Sequence, residues 1–262
     1  MRAPATSIAE FVPLSAHVSP HVVKTTGGDY LLTWRLGGLP FVGRETWELE
    51  HRHATFNRML QTLRAPDFVN VAFWVHDVRR RGRVDMSADF AQTFNQALSD
   101  QYFEALSTQK IMQNELYLTM IFRPVVSGKK LVEKSSDLAR LQAEQDQAVA
   151  KLVELAGNVE AVLRDYAPAR LGMYTGDNGV VFSETLELFA YLLNRIDAPV
   201  PVLRAPVCDY LAVSGHTFSA RTGDFVISTP GGGNQYGAIL NIKEYTDATW
   251  PGILNALKYL DF

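Results

Sequence analysis

The sequence predicts an α+β fold of mainly antiparallel sheets with helices packed on one face. Three observations carry that prediction. β-rich runs and amphipathic helical runs interleave along the chain, each half contains at least one hairpin, and one helical run near residues 134–166 is much longer than the rest. Helices that follow hairpin-joined strands bury their apolar stripes against those strands, which is the layering of an α+β domain. A soft boundary near Pro168 divides the chain into two expected α+β parts, 1–166 with the long helix and 167–262.

The elements follow in order. Pro4, Pro13 and Pro20 keep the start extended, because proline lacks the amide hydrogen a helix needs and restrains the residue before it. "HVVKTTGGDYLLTWRLGG" reads as two strands around a Gly27-Gly28-Asp29 turn. From Glu45 to Leu63, Trp47, Leu49, Phe56, Met59, Leu60 and Leu63 recur at helical spacing among charges, and Pro66 stops the run. Phe68–Val78 is so continuously apolar that it reads as a central strand. A second helix over 88–110 carries Phe90, Phe94, Leu98, Tyr102, Ala105 and Leu106 on one face. Asn114–Arg123 is the next strand, closed by Pro124. In the long helix, Leu141, Gln145, Ala148, Leu152, Leu155, Val159 and Val162 form a four-three seam. Packing on its own sheet is the first reading of that seam; at about 45–50 Å the helix is also long enough to project toward a partner.

Beyond it lie a short strand at Arg170–Tyr174, a turn at 176–179 and a helix over Glu184–Asn194. Strands are expected near Val207–Val213, His216–Ala220, Phe225–Ser228 and Tyr236–Tyr245. A last helix opens at Thr249 with Pro251 in its first turn.

Composition narrows the function. At 262 residues, with 47% hydrophobic and 20% charged side chains, the chain can bury a sizeable core. A net charge of −3 provides no general attraction to nucleic acid or anionic lipid, so such contact needs a local patch. The single cysteine, Cys208, excludes an internal disulfide and reads as a small buried strand residue rather than a nucleophile. The N-terminus lacks a signal-peptide core, and no run reaches the roughly 18 apolar residues that span a bilayer.

Catalytic and cofactor motifs fail on inspection. "STPGGGNQYG" has no lysine with a following Ser or Thr after Gly231–Gly233, and a phosphate loop needs both to meet phosphate and magnesium. "RPVVSGKKL" has Arg123 where the first glycine belongs and Lys130 where the hydroxyl belongs. His51 and His53 on one helix point about 200° apart and cannot share an ion. Ser214 and His216 lie in an ordinary hairpin sequence without the G-x-S-x-G elbow. Glu184 and Glu187 suit the first turn of a helix, where carboxylates face the positive end of its dipole. No catalytic residue, cofactor or metal site is therefore expected. Besides the long helix that can project toward a partner, the candidate binding feature is Arg79, Arg80, Arg81 and Arg83 at the end of a strand. Its first reading is a solvated turn. The second is a site for an acidic partner or lipid phosphate, which guanidinium groups engage in pairs of hydrogen bonds.

Five segments in order resemble the N-terminal domain of the CagE/TrbE/VirB family of type IV secretion ATPases: "EFVPLSAHVSPHVVKTTGGDYLLTWRLGGLPF", "VNVAFWVHDVRRR", "NELYLTMIFRP", "ETLELFAYLLN" and "YGAILNIKEYTDATWPGILNAL". The resemblance implies a non-catalytic docking and assembly domain, cytoplasmic and peripheral to a bacterial inner membrane. Its implied partners are inner-membrane subunits, its own ATPase domain and further copies of itself, with no direct nucleic-acid contact. ATP and magnesium would belong to a C-terminal RecA-like domain, expected to lie beyond "LKYLDF". The competing reading is a stand-alone nucleotide- or nucleic-acid-binding α+β protein.

Overall fold

The computed structural model describes residues 7–38, 43–62, 66–81, 90–107, 112–124, 138–219 and 223–239. Its centre is an antiparallel sheet. β1 (Leu14–Ser19), β2 (Val22–Thr25) and β3 (Tyr30–Leu36) form a meander, and β3 then pairs with β5 (Met112–Phe122) from Tyr30↔Phe122 to Leu36↔Leu116. β4 (Val71–Arg81) pairs with the other side of β5 in unbroken register, from Val71↔Phe122 to Arg81↔Met112. The β2–β3 turn closes as expected, with Gly28 at φ +87° and the Thr25 amide donating to Asp29 O at 2.8 Å. A positive φ there is what selects glycine.

Two helices bridge the long strands: α1 (Thr46–Thr62) lies between β3 and β4, and α2 (Thr93–Ser107) between β4 and β5. The long helix α3 (Leu138–Val162) covers one face of the sheet. Ala148, Leu152, Leu155, Ala156 and Val159 pack there against Val22, Tyr30, Leu32, Trp34 and Met120. The seam thus packs on its own sheet through its middle, whereas Leu141 and Val162 near its ends are exposed.

After α3 the chain re-enters the sheet as β6 (Pro168–Arg170), which pairs with Trp34–Leu36 of β3 on the side that β2 occupies further along. A small hairpin, β7 (Met173–Thr175) and β8 (Val181–Ser183), leads into α4 (Glu184–Asn194). Ser183 caps α4, its hydroxyl accepting from the Leu186 amide at 3.2 Å. α4 and α5 (Val207–Leu211) lie on the sheet face opposite α3, where Leu186, Phe189, Val207 and Leu211 meet Leu14, Val23, Leu31 and Ile121. A three-stranded antiparallel sheet follows: β9 (Gly215–Phe218), β10 (Asp224–Ser228) and β11 (Asn234–Ala238), with β10 against α4.

The α+β class with antiparallel sheets is as expected, and three details differ. Helices cover both faces of the large sheet rather than one, because α4 brings a second apolar stripe to the face that α3 leaves open. Among the described residues β4 is the edge strand, and β5 lies inside it, between β4 and β3. The apolar run of β4 serves two surfaces: Val71 and Phe73 turn toward the α3 cluster, while Val78 joins Leu188 and Leu171 on the α4 side. Val207–Leu211 is a short helix rather than a strand. Val207 and Leu211, four residues apart, are both buried under one roof, and Pro206 supplies the entry; burial at period four outweighs β propensity. Cys208 sits in that helix, partly exposed. The continuation of the last strand to Tyr245, the helix after Thr249 and the Gly128-Lys129-Lys130 turn lie outside the described residues.

Candidate docking surface

Strand geometry decides how the arginines are presented. Successive side chains of β4 alternate faces, so Arg79 and Arg80 leave on opposite sides and the cluster is not a single patch. The last rungs, Val78–Arg81 against Glu115–Met112, extend beyond β3 as a two-stranded ribbon. Arg79 is exposed there. Arg80 turns inward: its Nη1 donates to Asp197 Oδ1 at 2.7 Å, and its guanidinium lies 4.1 Å from the centre of the Tyr191 ring. Its Nε is 3.0 Å from Glu115 Oε2 without hydrogen-bond alignment, so that contact is one of charge. The Tyr117 hydroxyl donates to the same Glu115 oxygen at 2.8 Å.

The electrostatics agree with this geometry. Burial works against the Arg80 cation, but the Asp197 hydrogen bond and the charges of Asp197 and Glu115 outweigh it and raise its pKa. Burial, then the Glu115 hydrogen bond, pushes the Tyr117 phenol up to about 12. Arg80 therefore fastens the β4–β5 ribbon to α4 and the loop after it. Arg81 ends the strand, and Arg83 lies outside the described residues. Glu115, Tyr191 and Asp197 were not singled out from the sequence. The available signal was parity, since Arg80 is in phase with the inward-facing Val78 and out of phase with Arg79.

The glycine-rich turn, Ser214, His216, Glu184 and Glu187 are likewise engaged within the fold. In the glycine-rich turn, Gly232 N donates to Thr229 O at 3.0 Å and Gly233 N to Thr229 Oγ1 at 3.1 Å, which removes both amides from the reach of a phosphate. Both ring nitrogens of His216 face backbone carbonyls, Ser214 O at 3.0 Å and Leu193 O at 2.8 Å, and the Ser214 hydroxyl donates to Asn194 O. No Ser–His relay is formed. Glu184 accepts from the Gly172 amide at 3.0 Å, and Glu187 accepts from the Tyr174 hydroxyl at 2.7 Å, so both carboxylates tie α4 to the β7 hairpin.

Two fastenings escaped sequence reasoning altogether. Glu160 of α3 accepts from Trp34 Nε1 at 2.6 Å and pairs with Arg170 of β6; the Arg170 hydrogen bond is the main cause of its lowered pKa. Buried Asn194 donates to Leu211 O at 2.7 Å and accepts from the Val213 and Ser214 amides at 2.9 and 3.1 Å.

Large apolar side chains, by contrast, stand in solvent on several elements, Trp47 and Leu60 of α1, Phe218 of β9 and Tyr236 of β11 among them. β4 exposes Trp74 and Val75, and α2 exposes Phe94, Leu98 and Tyr102 in a stripe at i, i+4 and i+8. Between the sheet, α1 and the end of α3 lies a cavity of about 450 Å³, walled by Leu49, Phe56, Leu60, Phe73 and Leu118 among others, with Val75 on its border.

Two family models match in succession. Residues 21–130 match the N-terminal domain of the type IV secretion system ATPase VirB4/TrbE, and residues 169–262 match the CagE, TrbE, VirB family, a component of the type IV transporter system. The chain belongs to the CagE/TrbE/VirB family. Within it, the chain is 34% identical to the type IV secretion system protein virB4 of Brucella suis over 98% of its own length and 31% of that protein's. It is 31% identical to the type IV secretion system protein PtlC of Bordetella pertussis, again over 98% of this chain and 31% of the relative. Protein virB4 of Rhizobium radiobacter is 30% identical over 96% and 31%. The chain thus spans about a third of the length of the curated relatives it matches. This family member is a type IV secretion component corresponding to the N-terminal part of VirB4-like ATPases. Among the described residues, no helix is long and apolar enough to cross a membrane.

Proposed function

We propose that this chain is a non-catalytic docking and assembly module of a type IV secretion ATPase, serving transfer of protein or DNA across a bacterial inner membrane. The observation that carries the reading is a contrast. Ser214, His216, Glu184, Glu187 and the glycine-rich turn are tied into the fold, whereas large apolar side chains stand exposed on several elements, with adjoining groups of them on β4 and α2. Exposed apolar surface of that kind marks an interaction site rather than a reaction centre. α2 carries Asp100 and Glu104 and no lysine or arginine, so its stripe suits a protein partner better than an anionic bilayer. In this reading the chain lies in the cytoplasm, peripheral to the inner membrane. Its partners are inner-membrane subunits of the secretion system, its own ATPase domain and further copies of itself. ATP and magnesium bind elsewhere in the full-length protein, and residues 1–166 and 167–262 act as two parts of one platform. Arg79 is the exposed cation offered to an acidic partner or lipid phosphate, with Arg81 and Arg83 following it in sequence and Arg80 holding the ribbon that presents it.

The test is binding of the chain to nanodiscs that carry the system's inner-membrane subunits, against empty nanodiscs of the same lipid. Saturable binding that needs the subunits is the expected result. Equal association with both, or with neither, defeats the proposal.

A further inference from the structure

The free edge of β4 carries the inference furthest. It is eleven residues long and paired to β5 without a bulge, and among the described residues no strand pairs with its other side. Edge strands are normally guarded by proline, charge, a bulge or shortness. Val71–Val75 has no proline and no charge. Beside this edge, Val75 is 69% exposed and borders the 450 Å³ apolar cavity under α1, while Trp74, 41% exposed, flanks the opposite face. Further along, Asp77 and exposed Arg79 share the face of Val75. An incoming strand would therefore meet, on one face, a cavity for large apolar side chains followed by an anion and a cation.

We propose that this edge is a strand-addition site. It takes an extended segment of a partner protein that runs antiparallel to β4, acidic at its start opposite Arg79 and apolar at its end opposite Phe73 and Val75. Main-chain hydrogen bonds provide the affinity in such addition, and alternate side chains provide the selection. The charges decide against a second copy of β4 as the occupant. Twofold antiparallel pairing keeps each residue on its face, so paired residue numbers sum to an even number. Centring on Val75 sets Arg79 against Val71 and Asp77 against Phe73. Centring on Val78 pairs Asp77 with Arg79, but leaves Val71–Phe73 uncovered and sets Arg81 against Val75. No self-pairing register satisfies the charged and the apolar half together. This inference deepens the docking reading and rests on it for the source of the strand.

The probe is the synthetic peptide SESETKTLTF, whose alternate residues face Arg81, Arg79, Asp77, Val75 and Phe73 in the antiparallel register. Its charge-reversed form, SKSKTETLTF, is the control. With the 262-residue chain, the first peptide is expected to slow hydrogen exchange at alternate β4 amides and to change Trp74 fluorescence. It should bind at least tenfold tighter than the control at low salt. Arg79→Glu should invert that preference, and Val75→Lys should abolish both interactions without lowering the melting temperature. Equal binding of the two peptides, or protection away from β4, overturns the proposal. So do β4 amides already slow before peptide is added, which would place a segment of this chain on the edge. A dimer that Val75→Lys dissociates would assign the edge to a second copy and overturn it too. Nanodisc binding that persists while the peptides fail removes this inference alone; nanodiscs that fail while the peptide binds remove the docking reading.

Discussion

Arg79 and Arg80 are neighbours of the same type, yet the structure assigns them opposite energetic weights, and replacing each by methionine tests that assignment. Arg79 is exposed, and its removal should change stability by no more than about 0.5 kcal/mol, as for surface substitutions generally. Arg80 loses three contacts at once. Its pair with Asp197 is worth about 0.5 kcal/mol, because that carboxylate is 76% exposed and well screened. Its stacking on Tyr191 at 4.1 Å contributes about 1 kcal/mol, the partly desolvated value for such contacts. The half-buried Glu115 carboxylate, left facing the Tyr117 hydroxyl without a cation, adds about 0.5–1 kcal/mol. The sum is about 2–2.5 kcal/mol. For a chain of this size, 1 kcal/mol moves the melting temperature by roughly 2–4 °C, so Arg80→Met should lower it by about 4–10 °C while Arg79→Met leaves it unchanged. Differential scanning fluorimetry and urea titration at pH 7.5 measure this directly. Hydrogen exchange should also quicken in Val78–Arg81 and Met112–Glu115, the ribbon that Arg80 holds. Equal effects of the two substitutions would refute the argument from strand parity, and with it the assignment of Arg80 to the interior.

Three further outcomes are expected. His17 and His76 both have lowered pKa values, chiefly through burial; the unfolded chain then binds more protons between their folded values and about 6.5. Stability should hold above pH 6.5 and fall as pH drops through the folded values, and a flat urea midpoint from pH 7.5 to 5 would contradict this. Leu152→Ala at the fully buried centre of α3 should cost about 2–5 kcal/mol, whereas Leu141→Ala near its exposed start should cost less than about 0.5 kcal/mol; similar losses at both positions would mean that the helix packs along its whole length. Calorimetry with magnesium and ATP should be silent on this chain, and a saturable micromolar signal surviving removal of contaminating ATPases would revive the nucleotide-binding alternative.

The local elements were legible because their causes are local. Gly27-Gly28-Asp29 specifies a turn by backbone freedom, Glu184 and Glu187 suit the first turn of α4, and the period of the apolar residues places α1, α3 and α4 within a few residues of where they lie. The family, too, was legible from five ordered segments. Partner choice was not. The apolar run of β4 reads like a central strand because both its faces carry apolar residues, but order in a sheet depends on which neighbours compete for hydrogen bonds, and β5 alone is flanked on both sides by long strands. Val207–Leu211 has strand-like composition and became a helix because its burial surface, the apolar cluster beside α4, exists only once the sheet is assembled. The arginine cluster divides for the same reason. By itself the sequence determined the turns, the helix phases, the amphipathic stripes and the kinship; the tertiary structure alone decided which strand is the edge among the described residues and that Arg80 faces inward, since Glu115, Tyr191 and Asp197 reach it from 35 to 117 residues away.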